Sequence, residues 1–86
     1  MPTVSLFYGI KIMMYFNDHH PPHFHAKYAD FVAIINILDC TVMKSALPKR
    51  QLKLVLAWAE LHKDELMQNW ELVKNSKEPM EIRPLS

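Results

Sequence analysis

Two hydrophobic periods divide this chain near residue 47. Upstream the apolar positions alternate in twos; downstream they recur at helical spacing. Lys11 to Phe16 alternates, with Ile12, Met14 and Phe16 on one side and Lys11, Met13 and Tyr15 on the other. That is the pattern of a half-buried strand. His23 to Tyr28 repeats it, with Phe24, Ala26 and Tyr28 opposing His23, His25 and Lys27. Phe31 to Leu38 is a continuous β-rich run whose core face is Ala33, Ile35 and Ile37, and Val42 to Ala46 returns antiparallel. The linking segments carry turn chemistry: residues 17–22 with Asn17, Asp18, Pro21 and Pro22, then Ala29-Asp30, then Asp39 to Thr41. Residues 1–8 are apolar and either tuck against the core or add a short strand, with Gly9 marking a bend before the next one.

Pro48 suits the first turn of a helix, and a helical pattern runs from there to about Asn75. At about 100° per residue, Lys53, Ala57, Glu60, Asp64, Gln68 and Glu71 form one narrow polar stripe. The stripe continues through His62-Lys63-Asp64, which predicts a single long helix with room for a kink near Lys63. Met80 to Arg83 reads as a last short strand. The predicted fold is α+β: a small antiparallel sheet of three to four strands packed against one long C-terminal helix, in a single domain spanning residues 1–86.

The helix carries more apolar surface than one contact needs. Leu52, Val55, Ala59, Leu66, Trp70 and Val73 form one stripe, and Leu54, Trp58, Leu61 and Leu72 form a second, rotated one. A surface helix usually shows an apolar arc a little over 100° wide, and this one covers about twice that. Either the chain ends cover the surplus, or Leu54, Trp58 and Leu61 form an interface with a second copy or another protein, anchored by Trp58.

Composition narrows the function classes. Half of the 86 residues are hydrophobic and the formal net charge is +1, which excludes a disordered chain and a uniformly basic nucleic-acid coat. No stretch approaches the roughly 18 apolar residues of a membrane span, and no secretory signal opens the chain. Cys40 is the only cysteine, so no intrachain disulfide is possible, and a reducing cytoplasmic home follows. With one glycine, glycine-rich phosphate loops are excluded. Lys44, Lys49, Arg50 and Lys53 crowd the helix start, where cations oppose the macrodipole. They mark either a solvated basic turn or an anion-binding point.

The densest chemistry is Asp18-His19-His20-Pro21-Pro22-His23-Phe24-His25. Imidazole is the side chain that titrates near neutrality. His23 and His25, two apart on a strand, project from one face, and His19 approaches them around the stiff prolines. Three readings stay open. His19, His23 and His25, with Asp18 adding an oxygen, would suit a divalent transition metal such as zinc. His23 and His25 could instead be an acid–base pair oriented by Asp18, with Tyr15, Tyr28 and Lys27 binding a developing anion. Or the histidines merely satisfy backbone carbonyls.

Tyr15-Phe16-Asn17-Asp18-His19 followed by Pro21-Pro22-His23-Phe24-His25 resembles the bacterial family called domain of unknown function 4160. The likeness extends to Met1-Pro2-Thr3, Gly9-Ile10, Leu47-Pro48, Trp58-Ala59-Glu60-Leu61, Asn69-Trp70-Glu71 and Ile82-Arg83-Pro84-Leu85. His20 falls at the motif's open position, which removes it from the expected site. Ala29-Asp30 stands where the family often turns with glycine. The resemblance implies a toxin role in a two-protein toxin–antitoxin module, beside a small antitoxin-like partner of the family called domain of unknown function 2442. Taken with the clustered imidazoles, that context makes RNA the candidate substrate, with Asp18, His19, His23 and His25 as the centre and Tyr15 and Tyr28 near it. The alternative is a non-enzymatic protein-binding module, self-associating or paired, with a structural or metal-binding histidine loop.

Overall fold

The structure, a computed structural model, describes residues 2–85. Five strands precede two helices: β1 (Thr3–Phe7), β2 (Ile10–Met13), β3 (His23–Tyr28), β4 (Phe31–Asn36), β5 (Val42–Ser45), α1 (Lys49–Leu61) and α2 (Lys63–Lys74). The strands form one antiparallel meander in the order β1-β2-β3-β4-β5. The α+β class is as predicted, but the sheet has five strands rather than three or four. The extra strand is the apolar N-terminus, which pairs with β2 through a two-residue turn. Tyr8 and Gly9 both have positive φ, 50° and 77°, the backbone of a turn whose twist matches the flanking strands. A Cβ on Gly9 would stand 3.4 Å from the Tyr28 ring.

Period two then sorts the side chains. Ile10, Ile12, Met14, Phe24, Ala26, Ala33, Ile35 and Ile37 are all buried. Val55, Trp58, Ala59, Leu66, Trp70 and Val73 of the helices join them in one core. Full burial of each such aliphatic side chain is worth about 1.5–3 kcal/mol. A bulge between Thr3 and Ser5 buries both Val4 and Ser5 in β1. The polar stripe Lys53, Ala57, Glu60, Asp64, Gln68 and Glu71 is exposed along its whole length.

The single long helix is interrupted. His62 leaves helical geometry, with φ −119° and ψ 25°. The hydrogen-bond ladder still runs through the bend, because the His62 N–H donates to the Trp58 carbonyl and the Leu66 N–H to the His62 carbonyl. Neither proline nor glycine is involved. The His62 ring packs on Trp58 at 5.5 Å and its Nδ1 bonds the Glu65 carboxylate. Asp64 and Glu65 in the first turn of α2 favour a fresh N-terminus there.

Trp58 is not the surface anchor that the second apolar stripe suggested. It is 0% exposed, lies 5.3 Å from Phe7 and 5.7 Å from Phe24 ring to ring, and donates its indole N–H to the Arg83 carbonyl at 2.9 Å. Leu54 is half-buried, and only Leu61, at 70%, projects into solvent. The C-terminal segment supplies the cover. It is not a strand: one backbone bond, Ile82 N–H to the Val4 carbonyl, ties it to β1. Asn69 clamps it further, donating to the Met80 carbonyl at 2.7 Å and accepting from the Met80 N–H at 2.8 Å. Among the described residues no helix is long and apolar enough to cross a membrane.

Asn69 is fully buried within the core stripe of α2, so its two bonds are the reason for a polar residue there. Replacing it, Asn69→Leu, leaves both Met80 groups unpaired and lowers the unfolding free energy by about 3 kcal/mol. Urea unfolding measures this. A loss below about 0.5 kcal/mol, within the range of a neutral surface change, would show that the clamp does not hold the segment.

Candidate functional site

The histidine segment connects β2 to β3 around one end of the sheet. Asn17, at φ 55°, turns the chain out of β2; asparagine tolerates that left-handed conformation better than most residues. Its N–H donates to the Val73 carbonyl at 3.0 Å, and Ser76 Oγ bonds Asn17 Oδ1 at 3.2 Å. The end of α2 therefore fixes where the segment begins. The His20–Pro21 peptide bond is cis. Pro22 then feeds β3, its carbonyl accepting the Ile37 N–H.

His23 opens β3 opposite Asn36, and His25 stands between Met13 and Ile34 in the ladder. Both point away from the face that Phe24 and Ala26 bury. His23 is buried and has both ring nitrogens engaged. Nδ1 lies 2.7 Å from the Pro21 carbonyl and Nε2 lies 2.8 Å from Asp18 Oδ2. A carbonyl oxygen only accepts, so Nδ1 carries a proton. Nε2 faces a carboxylate, and the 2.8 Å contact places one proton between the two. Asp18 is oriented in turn by the His19 backbone N–H, 2.9 Å from Oδ1. The Trp70 ring backs this arrangement, 5.4 Å from the His23 ring.

His25 differs. Its ring lies 5.4 Å from that of His23 and 4.2 Å from that of Tyr15, and its Nδ1 is buried without a hydrogen-bond partner. Burial lowers its pKa below the ordinary 6.5; the neighbouring His23 lowers it further and Asp18 partly opposes this. The site thus sets an imidazole with an unpartnered, buried Nδ1 beside one whose two nitrogens are both engaged.

Not every anticipated residue gathers here. Asp18, His23, His25 and Tyr15 converge. The ring of His19 is exposed, and only its backbone takes part. Tyr28 lies on the core side of β3, opposite Ile10 and against Gly9, at the far end of the strand. Lys49, Arg50 and Lys53 are exposed at the start of α1, and Arg50 shares a cleft with Tyr8 at the β1–β2 turn, again the end remote from Met13 and His25. His20 packs edge-on against Trp70 at 5.8 Å, outside the cluster. Trp70 was legible only as a core residue, since a tryptophan on an apolar stripe carries no sign that its ring will support a histidine. Cys40 is no rival nucleophile, because burial, and then Glu60, push its thiol pKa up.

The metal-ligand geometry also changes membership. One ligand atom each from Asp18, His23 and His25 lie within 4.8 Å of one another, so the convergent set is two histidines and a carboxylate rather than three histidines. Zinc bonds near 2.0–2.1 Å could engage all three only if the 2.8 Å Asp18–His23 bond opened.

These features define an α+β domain with an Asp–His–His cluster at one end of an antiparallel meander. The family model described as Domain of unknown function (DUF4160) matches residues 9–71, which contain the whole cluster, and the chain belongs to that family. No curated protein and no solved structure matches the chain significantly.

The lowered pKa of His25 has a stability consequence. The unfolded state binds its proton more readily than the folded state, so His25 penalises folding as pH falls through 6.5. His25→Gln removes that penalty. The variant loses less stability than wild type between about pH 7.5 and 5.5, a window set around the ordinary imidazole value. Thermal unfolding across that range checks this, and parallel profiles would contradict it.

Proposed function

We propose that the Asp18–His23–His25 cluster is the active centre of the toxin component of a bacterial two-protein module, and that it cleaves RNA by acid–base chemistry. The observation that carries this reading is the placement of His25, whose Nδ1 is unpartnered and whose pKa burial lowers, beside a His23 whose two nitrogens face a carbonyl and a carboxylate. His25 serves as the base, taking the proton of a ribose 2′-hydroxyl. The 2′ oxygen bonds to phosphorus as the bond to the 5′ oxygen breaks, and the Asp18–His23 pair supplies the proton that the leaving oxygen takes up. The same proton donor also stabilises charge accumulating on the phosphoryl oxygens. Asp18 is a positioning residue, and Tyr15 packs on the reacting imidazole. The family resemblance supplies the toxin context and the small cognate partner.

A binding surface for that partner is favoured by a separate observation. Phe31, Val32, Leu38, Val42 and Met43 are all exposed large hydrophobics around β4 and the unpaired edge of β5. An exposed apolar sheet edge invites an added strand. This surface replaces the Leu54–Trp58–Leu61 face as the place where a small antitoxin-like protein, or in a purely binding role a second protein, would attach.

Expression without the neighbouring gene tests the reading. Wild type arrests growth and degrades RNA, whereas folded His23→Ala/His25→Ala does neither. With His25→Ala alone, cleavage falls by about 10²–10⁴-fold, the usual contribution of a general base. Chelation leaves the rate unchanged. Equal growth arrest by the folded double variant would overturn the assignment.

A further inference from the structure

The five strands carry only three charged side chains, Lys11, Lys27 and Lys44, and no acidic one. Register puts all three on one face. Lys11 pairs with Lys27, which follows His25 by two residues. Lys44 pairs with Ile34, which pairs with His25. They therefore share the face of His23 and His25, opposite the face that Ile10, Ile12, Ala26, Ala33 and Ile35 bury. All three lysines are exposed. At standard strand spacings Lys27 lies about 7 Å along β3 from His25, and Lys44 about 10 Å across the sheet. Like charges directly across a ladder, as at Lys11 and Lys27, destabilise a sheet. Nothing in the packing requires two lysines there, and the chain as a whole is nearly neutral. Three of the chain's ten lysines and arginines thus stand on the open face around the candidate base, and no strand carries an acidic residue to oppose them.

We infer that this face binds the sugar–phosphate backbone of single-stranded RNA, laid across the strands so that a phosphodiester reaches His25. The inference rests on the acid–base reading of the cluster and names the surface that delivers its substrate. Lys11 and Lys27 hold phosphates on one side of His25, and Lys44 holds the strand on the other. Exposed Leu6 and Val32 lie in the same row as Lys11 and Lys27, and Tyr15 beside His25 offers a stacking ring. Lysines interleaved with an aromatic form the combination that holds a flexible strand without reading its sequence. A rigid acidic protein surface would gain from the lysines but not from the stacking ring.

Binding is measured with the His25→Ala protein, so that cleavage does not consume the probe, a short labelled single-stranded RNA. Lys11→Gln/Lys27→Gln/Lys44→Gln in the same background lowers affinity by about tenfold or more at low salt. It also reduces the slope of log K against log salt by about 2, three phosphate contacts at 0.7 each. Lys49→Gln/Lys53→Gln, at the start of α1, changes neither. Matching melting temperatures show that the exposed substitutions leave the fold intact. Unchanged affinity and slope in the triple variant would overturn the inference, and so would absence of RNA binding by the His25→Ala protein at low salt. Cleavage by wild type that is lost with His25 but keeps its rate in the triple variant would overturn this inference and leave the acid–base reading standing. Cleavage that survives His25→Ala would overturn that reading instead.

Discussion

Strand register is the constraint on which the fold and the site both depend. In the β2–β3–β4 ladder Met13, His25 and Ile34 are aligned, as are Ile12, Ala26 and Ala33. Because side chains alternate, a slip of one residue would drive His23, His25 and Lys27 into the helix-covered core and turn Phe24 and Ala26 to solvent. Side chains of the helices hold both of the first two residues of β3. Trp58 touches Phe24, and Trp70 touches His23. The hydrophobic core thereby decides which face the imidazoles occupy.

The helices hold the site as well as the sheet. Val73 receives the Asn17 N–H, and Trp70 walls the His20 and His23 rings. The bend at His62 divides the work. The first helix covers the sheet and, through Trp58, collects the C-terminal segment; the second supports the histidine loop. Asn69 joins the two tasks, on the same face as Trp70 and Leu66 but bonded to Met80. A single polar residue in an otherwise apolar stripe is what lets the end of the chain close over the core.

Much of this was legible in the sequence because period two and period 3.6 report burial directly. Ile12, Ala26, Ala33 and Ile35 lie where alternation puts them, and so does the polar stripe from Lys53 to Glu71. The bend was legible only as room for a kink near Lys63: the stripe passes through His62 without a break, and the departure depends on a ring contact and a side-chain bond made only in the folded state. The covering of Trp58 depends on Arg83, 25 residues away, and an amphipathic pattern shows that a surface is hidden without showing what hides it. Within the site, strand periodicity placed His23 and His25 together. The loop defeated the same reasoning: His19 contributes its backbone rather than its ring, while Asp18 reaches His23 across five residues. Tyr28 failed for the opposite reason, since the alternation that paired the histidines also turns Tyr28 to the other face.

Two imidazoles 5.4 Å apart divide the work of the proposed site, and His25 is the base because burial lowers its pKa. A pH titration of the histidine rings by nitrogen-15 NMR observes this directly. The expected result is a His25 midpoint below the ordinary 6.5 and a proton on His23 Nδ1, which faces the Pro21 carbonyl. A His25 midpoint at or above 6.5, or a bare His23 Nδ1, would contradict it.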